Sequence, residues 1–185
     1  MPMFEQIVFD TYGEVIPETR GFLIETENNL PWAKLEKCFQ ETYKRWDELI
    51  IYPGVPEFLR ELYWSSDNDP IRIITARPAY QCANDTYRLC ERLGVPFELI
   101  ITGNPATMLP GQPDIDKFNY LNRYKFFVDD RRKTAIELSQ KGKYVYMPKQ
   151  CYNNLNGVKY RNLEPIDSVT DLYNKIDWFT VEVQC

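Results

Sequence analysis

Short apolar runs alternate along this chain with stretches whose apolar residues return every three or four positions, and that alternation constrains the fold more than any other feature. Runs of four to six apolar residues read as strands, and longer amphipathic stretches read as helices. Strands separated by helices line up in parallel, and the connecting helices cover both faces of the sheet. The pattern predicts five core strands at 5–10, 71–75, 97–101, 124–129 and 144–147, with a further strand at 178–183. It predicts helices over 31–50, 55–64, 78–93, 114–123, 132–141 and 169–176.

Local chemistry marks the boundaries. Trp32, Leu35, Phe39, Tyr43, Trp46 and Leu49 form one apolar stripe on a helix of about five turns, and Pro31 suits its first position. Pro53-Gly54 makes a turn, and Gly94 stops the helix that begins at Pro78. Cys82 and Cys90 fall on that helix and read as small buried hydrophobes. Residues 11–28, 102–113 and 148–165 read as turns and loops. A chain of 185 residues suits a single domain, 1–185.

Composition narrows the chemistry. The chain contains no histidine, which removes Ser-His and Cys-His mechanisms and disfavours a structural zinc site. Its five cysteines show no CxxC spacing, so the expected setting is reducing and cytoplasmic. A net charge of -5 disfavours non-specific nucleic-acid binding. No apolar run reaches the roughly 20 residues that span a bilayer, so no membrane insertion is expected. Met1 to Glu5 is too short and polar for a secretory signal.

Four stretches carry candidate chemistry. Ile7-Val8-Phe9-Asp10-Thr11-Tyr12-Gly13-Glu14-Val15 is an apolar run that ends on an acid and breaks at a glycine. A carboxylate at the C-terminal end of a parallel strand lies where open α/β sheets bind ligands, although Asp also caps turns. The others are Ile73-Ile74-Thr75-Ala76-Arg77-Pro78, Asp114-Ile115-Asp116-Lys117, and Phe126-Phe127-Val128-Asp129-Asp130.

In order and placement these stretches resemble the motifs of the haloacid dehalogenase-like (HAD) superfamily. Asp10-Thr11-Tyr12-Gly13-Glu14-Val15 stands where the family has Asp-x-Asp-Gly-Thr/Val, and Thr75, Lys117 and the Asp129-Asp130 pair match the remaining three motifs. Tyr52-Pro53-Gly54-Val55, Ile74 to Pro78, Asp129-Asp130-Arg131 and Tyr152-Asn153 look most like the deoxyribonucleotidase-type branch. The resemblance implies a Rossmann-like parallel sheet with helices on both faces and a small cap-like insert at 16–50. It also implies a Mg²⁺-dependent phosphohydrolase acting on a phosphomonoester, possible substrates including nucleotides, through an aspartyl-phosphate.

Residue by residue, the resemblance makes Asp10 the nucleophile, and makes Asp10, the Tyr12 carbonyl, Asp129 and Asp130 the metal ligands. Thr75, Ala76 and Arg77 would bind the substrate phosphate, and Lys117 would balance the clustered carboxylates. Two departures bear on activity. Tyr12 replaces the usual acid/base Asp, and a phenol titrating near pH 10 is a poor base at neutrality. Glu14 replaces Thr or Val, and either substitutes as acid/base or marks a site without catalytic demand. Arg131, Arg132 and Lys133 would bind phosphates near the strand ends, or serve as ordinary surface charges. The alternative function is a HAD-fold binding protein without turnover, with the 31–50 helix as a partner or homodimer surface. A dehalogenase is a third reading, since that branch also carries Tyr at the position of Tyr12.

Overall fold

A computed structural model describes residues 3–15, 31–75, 79–101, 124, 126–150, 153–155 and 157–176. In chain order its elements are helix α1 (Met3–Tyr12), α2 (Trp32–Lys44), α3 (Val55–Ser65), strand β1 (Ile71–Thr75), α4 (Ala79–Glu91), β2 (Phe97–Ile101), β3 (Phe126–Val128), α5 (Arg132–Gln140), β4 (Tyr144–Pro148), β5 (Leu163–Ile166) and α6 (Val169–Lys175). The architecture is mixed α/β with parallel strands, as the alternation requires. The strands form two small sheets, β1-β2 and β3-β4-β5, where a single sheet was expected.

The three-stranded sheet is closed on both faces because its strands alternate inward residues. Val145 and Met147 point to one side and pack with Leu155, Leu163, and Ala135 and Leu138 of α5. Tyr146 points to the other and packs with Phe58 of α3, Ile166, Leu172 of α6, and Ile176. Helix α3 also touches β1, so it is shared between the two sheets. Its start is set by Gly54, whose φ of +83° suits glycine, followed by Pro56 in the first turn.

In the two-stranded sheet Arg72 is the main polar tie. It pairs with Glu98 directly opposite on β2 (3.1 Å), with Asp69, and with the Pro70 carbonyl (3.2 Å). Its guanidinium also stands 5.5 Å from the Tyr124 ring, just before β3. Asp69 foremost, with Glu98 also contributing, holds Arg72 above the ordinary arginine range.

Three expectations need correction. Residues 5–10 are not a strand but part of helix α1. The run fits both periods, and its partner selects one. Ile7 and Val8 pack on Leu35 and Cys38 of α2, with Phe4 stacked on Phe39 at 4.2 Å, while Phe9 is left exposed. The Gly13 N–H continues the helical pattern by donating to the Phe9 carbonyl (2.8 Å), and Gly13 at φ +69° ends the helix.

The helix expected over 31–50 ends at Lys44. Arg92, beyond the end of α4, donates to the Trp46 (2.6 Å) and Leu49 (2.8 Å) carbonyls and holds the following turn in place. The expected loop 148–165 contains the start of β5, which pairs with β4 from Val145↔Leu163 to Pro148↔Ile166. Pro165 disguised it, and a proline is tolerated there because β5 is an edge strand among the described residues.

The expected strand at 178–183, the helix at 114–123 and the 16–30 part of the insert lie outside the described residues. The aromatic stripe of 31–50 is mostly packed. Leu35 is fully buried, and Phe39, Tyr43, Trp46 and Leu49 are half-buried. No helix among the described residues is long and apolar enough to cross a membrane.

Candidate functional site

Strand β3 runs out at Val128, and the next two residues are the acid pair. The Asp129 N–H still donates to the Tyr146 carbonyl of β4 (3.2 Å), so the first acid remains anchored to the sheet. Its Oδ1 accepts from the Arg131 N–H (2.9 Å), an Asx turn that swings the chain into α5. Asp130, between them, is exposed.

Asn153 fastens this turn from behind. It is 1% exposed, the most deeply buried polar residue described. Its Nδ2 donates to the Asp130 carbonyl (2.9 Å) and the Pro148 carbonyl (2.7 Å), and its Oδ1 accepts from the Gln150 N–H (2.9 Å). One side chain therefore joins the β3–α5 turn to the end of β4. The sequence marked Asn153 only as part of a resemblance, because three backbone partners from two segments leave no spacing signal.

Helix α5 begins with Arg132, one residue after the acids, and its N-cap residue Arg131 supplies no side-chain cap. The Arg132 Nε is buried without a hydrogen-bond partner. A buried unsatisfied donor calls for an explanation such as a water, an ion or a ligand. Lys133 makes a loose pair with Glu137 at 4.0 Å. The start of α5 thus sets the positive end of the helix beside positive side chains, an arrangement suited to anions.

Thr75 ends β1, half-buried and opposite Ile101. Ala76, Arg77 and Lys117 lie outside the described residues. Asp10 lies on the last full turn of α1, exposed, and its Oδ1 accepts from Gln6 (2.8 Å). It is near enough to Arg45 to help hold that guanidinium above its ordinary range, after the larger effect of the Glu48 hydrogen bond. Tyr12 is half-buried with the Lys34 ammonium 4.8 Å over its ring, and Glu14 is exposed beyond the helix end. Asp10, Asp129 and Asp130 do not form a three-acid group, and no group of three potential metal ligands occurs among the described residues.

Comparison with known proteins adds no relative: no protein-family model matches the chain, and no curated protein or solved structure matches it.

Proposed function

We propose that the chain is a phosphohydrolase of HAD type acting on a phosphomonoester, with nucleotides as the substrate class closest to its motifs. One observation carries the reading. The acid pair stands at the C-terminal end of a parallel strand, where α/β sheets bind ligands, beside a helix start with a buried unsatisfied Arg132 Nε. Mg²⁺ suits oxygen donors and is often held by one or two carboxylates plus substrate oxygens. Asp129 and Asp130 fit that chemistry, and the ion would supply charge neutralisation at the phosphoryl group. Asp10 does not stand with them in the described arrangement. The residues that act in this reading are Arg132 and the α5 amides on the phosphate, Thr75 as a hydroxyl donor to it, and Lys117 as a counter-charge.

Attack by Asp10 requires residues 7–10 to leave α2. A single Rossmann-like sheet is part of the same proposal. β1 and β3 each pair on one side only among the described residues, and the Arg72–Tyr124 contact keeps their sheets adjacent. Residues 7–10 pairing between those edges would unite the two sheets into one Rossmann-like sheet and bring Asp10 to the acid pair.

The first test is hydrolysis of p-nitrophenyl phosphate with Mg²⁺. Asp10→Asn and Asp130→Asn are each expected to lower kcat by about a hundredfold or more. No turnover between pH 5 and 9, or full activity in both variants, sinks the reading. A second test introduces Ile7→Cys opposite the native Cys38, its neighbour in the α1–α2 core. Oxidising that pair is expected to abolish turnover and reductant to restore it, whereas unchanged activity in the locked form would exclude release of α1. The alternative, a binding protein without turnover, is favoured by one observation: Asp10 does not group with the acid pair among the described residues.

A further inference from the structure

A cleft of about 650 Å³ opens beside the three-stranded sheet, under the segment that follows β4. That volume is within the range of small-molecule sites. Its floor is apolar, with Met147 of β4 and Leu163 of β5, and Val158 stands half-exposed on its wall. Its charged lining consists of Lys149 and Lys159, and no carboxylate lines it among the described residues. In a chain with a net charge of -5, such a concavity is electrostatically set apart from the rest of the surface.

The two lysines remain available to a ligand. Lys149 meets Asp167 at 2.7 Å, but both side chains are more than half exposed, and such solvent-screened pairs contribute little. Lys159 is exposed and makes no ion pair among the described residues. Asn153 also lines the cleft, so the wall is tied directly to the Asp130 carbonyl.

We propose that this cleft binds a small organic anion with an apolar body, such as an aryl or alkyl carboxylate, sulfonate or phosphate. The apolar body packs on Val158 and Tyr160, over a floor closed by the buried Met147 and Leu163, and the anionic group sits at the lysine rim. The site is separate from the acid pair and needs no turnover, so it stands or falls independently of the hydrolase reading. Through Asn153, occupancy steadies the turn that carries Asp130.

The test uses the full chain and two dyes that share an apolar body: 8-anilinonaphthalene-1-sulfonate and neutral N-phenyl-1-naphthylamine. The sulfonate is expected to bind once per chain, and the neutral dye about tenfold more weakly or worse. Lys159→Glu should weaken the sulfonate about tenfold, and Lys37→Glu on the exposed face of α2 should leave it unchanged. Should Lys159→Glu fail to fold, Lys159→Gln reads the same contact with a loss of about threefold. Bound sulfonate should also slow hydrogen exchange at the Gln150 N–H, which Asn153 accepts. Equal affinity for the two dyes, wild-type affinity in the folded Lys159 variant, or unchanged exchange at Gln150 would overturn the proposal.

Discussion

The β3-β4-β5 sheet and the α1–α2 pair bury comparable side chains in different ways. Leu138 of α5 and Leu35 of α2 are both fully buried. Leu138 belongs to a three-layer stack, with α5 on one face of the sheet and α3 and α6 on the other. Leu35 belongs to a small cluster with Ile7, Val8 and Cys38, where α1 packs chiefly on a single helix. A chain segment held on one side can leave as a unit, whereas one enclosed in layers leaves only when the domain unfolds. The acid pair stands on the layered region and Asp10 on the other. The proposed chemistry thus joins a fixed partner to one that must move.

The largest expected effect concerns the fixed side. Asn153→Leu keeps the volume but strands the Asp130 and Pro148 carbonyls and the Gln150 N–H, and should cost about 4 kcal/mol in urea unfolding. A cost below about 1 kcal/mol would mean that water replaces the amide and that the turn is not fixed by it. Next comes the pair of leucines. Leu138→Ala should cost about 3 kcal/mol of global stability, and Leu35→Ala about 2 kcal/mol. Hydrogen exchange sharpens the contrast: Leu35→Ala should release the amides of α1 while β4 stays protected. Equal loss across both regions would show that they unfold together.

The smallest effect is a pH dependence at α6. The Asp167 N–H donates to the Asp171 carboxylate (3.1 Å), the main reason its pKa lies below the ordinary Asp range; Lys175 at 3.4 Å adds to the shift. A depressed folded pKa contributes stability above the unfolded value of about 3.9, and that contribution disappears as pH falls through the folded value. Asp171→Asn should therefore be less stable than wild type at neutrality and equal to it in acid. A constant difference across that window would assign the effect to packing at the start of α6, where Ser168 caps the Asp171 N–H at 3.1 Å.

Much of both sheets and of the helices around the layered region was legible from residue pattern. The strands at 71–75 and 97–101 match the expected limits. Helices α3, α5 and α6 and strands β3 and β4 agree within a few residues. The acid pair was expected at a strand end and is found there, because Phe126-Phe127-Val128 is short, apolar and bounded by charge. Burial on both faces makes such strands continuous apolar runs, a signal that survives without tertiary information.

What the tertiary structure decided lies where two local solutions have similar energy. Phe4 to Phe9 satisfies either a strand or a helix, and docking on Leu35 and Cys38 selects the helix because Phe4, Ile7 and Val8 then share one face. Residues 45–50 continue the apolar stripe of α2, yet the helix ends at Lys44 and Arg92 ties the Trp46 and Leu49 carbonyls of the turn that follows. Pro165 argued for a loop, and pairing with Met147 at a sheet edge made a strand. Asn153 has meaning only where two chain segments meet. Periodicity reports what one element buries, and each of these outcomes depends on what a second element offers it.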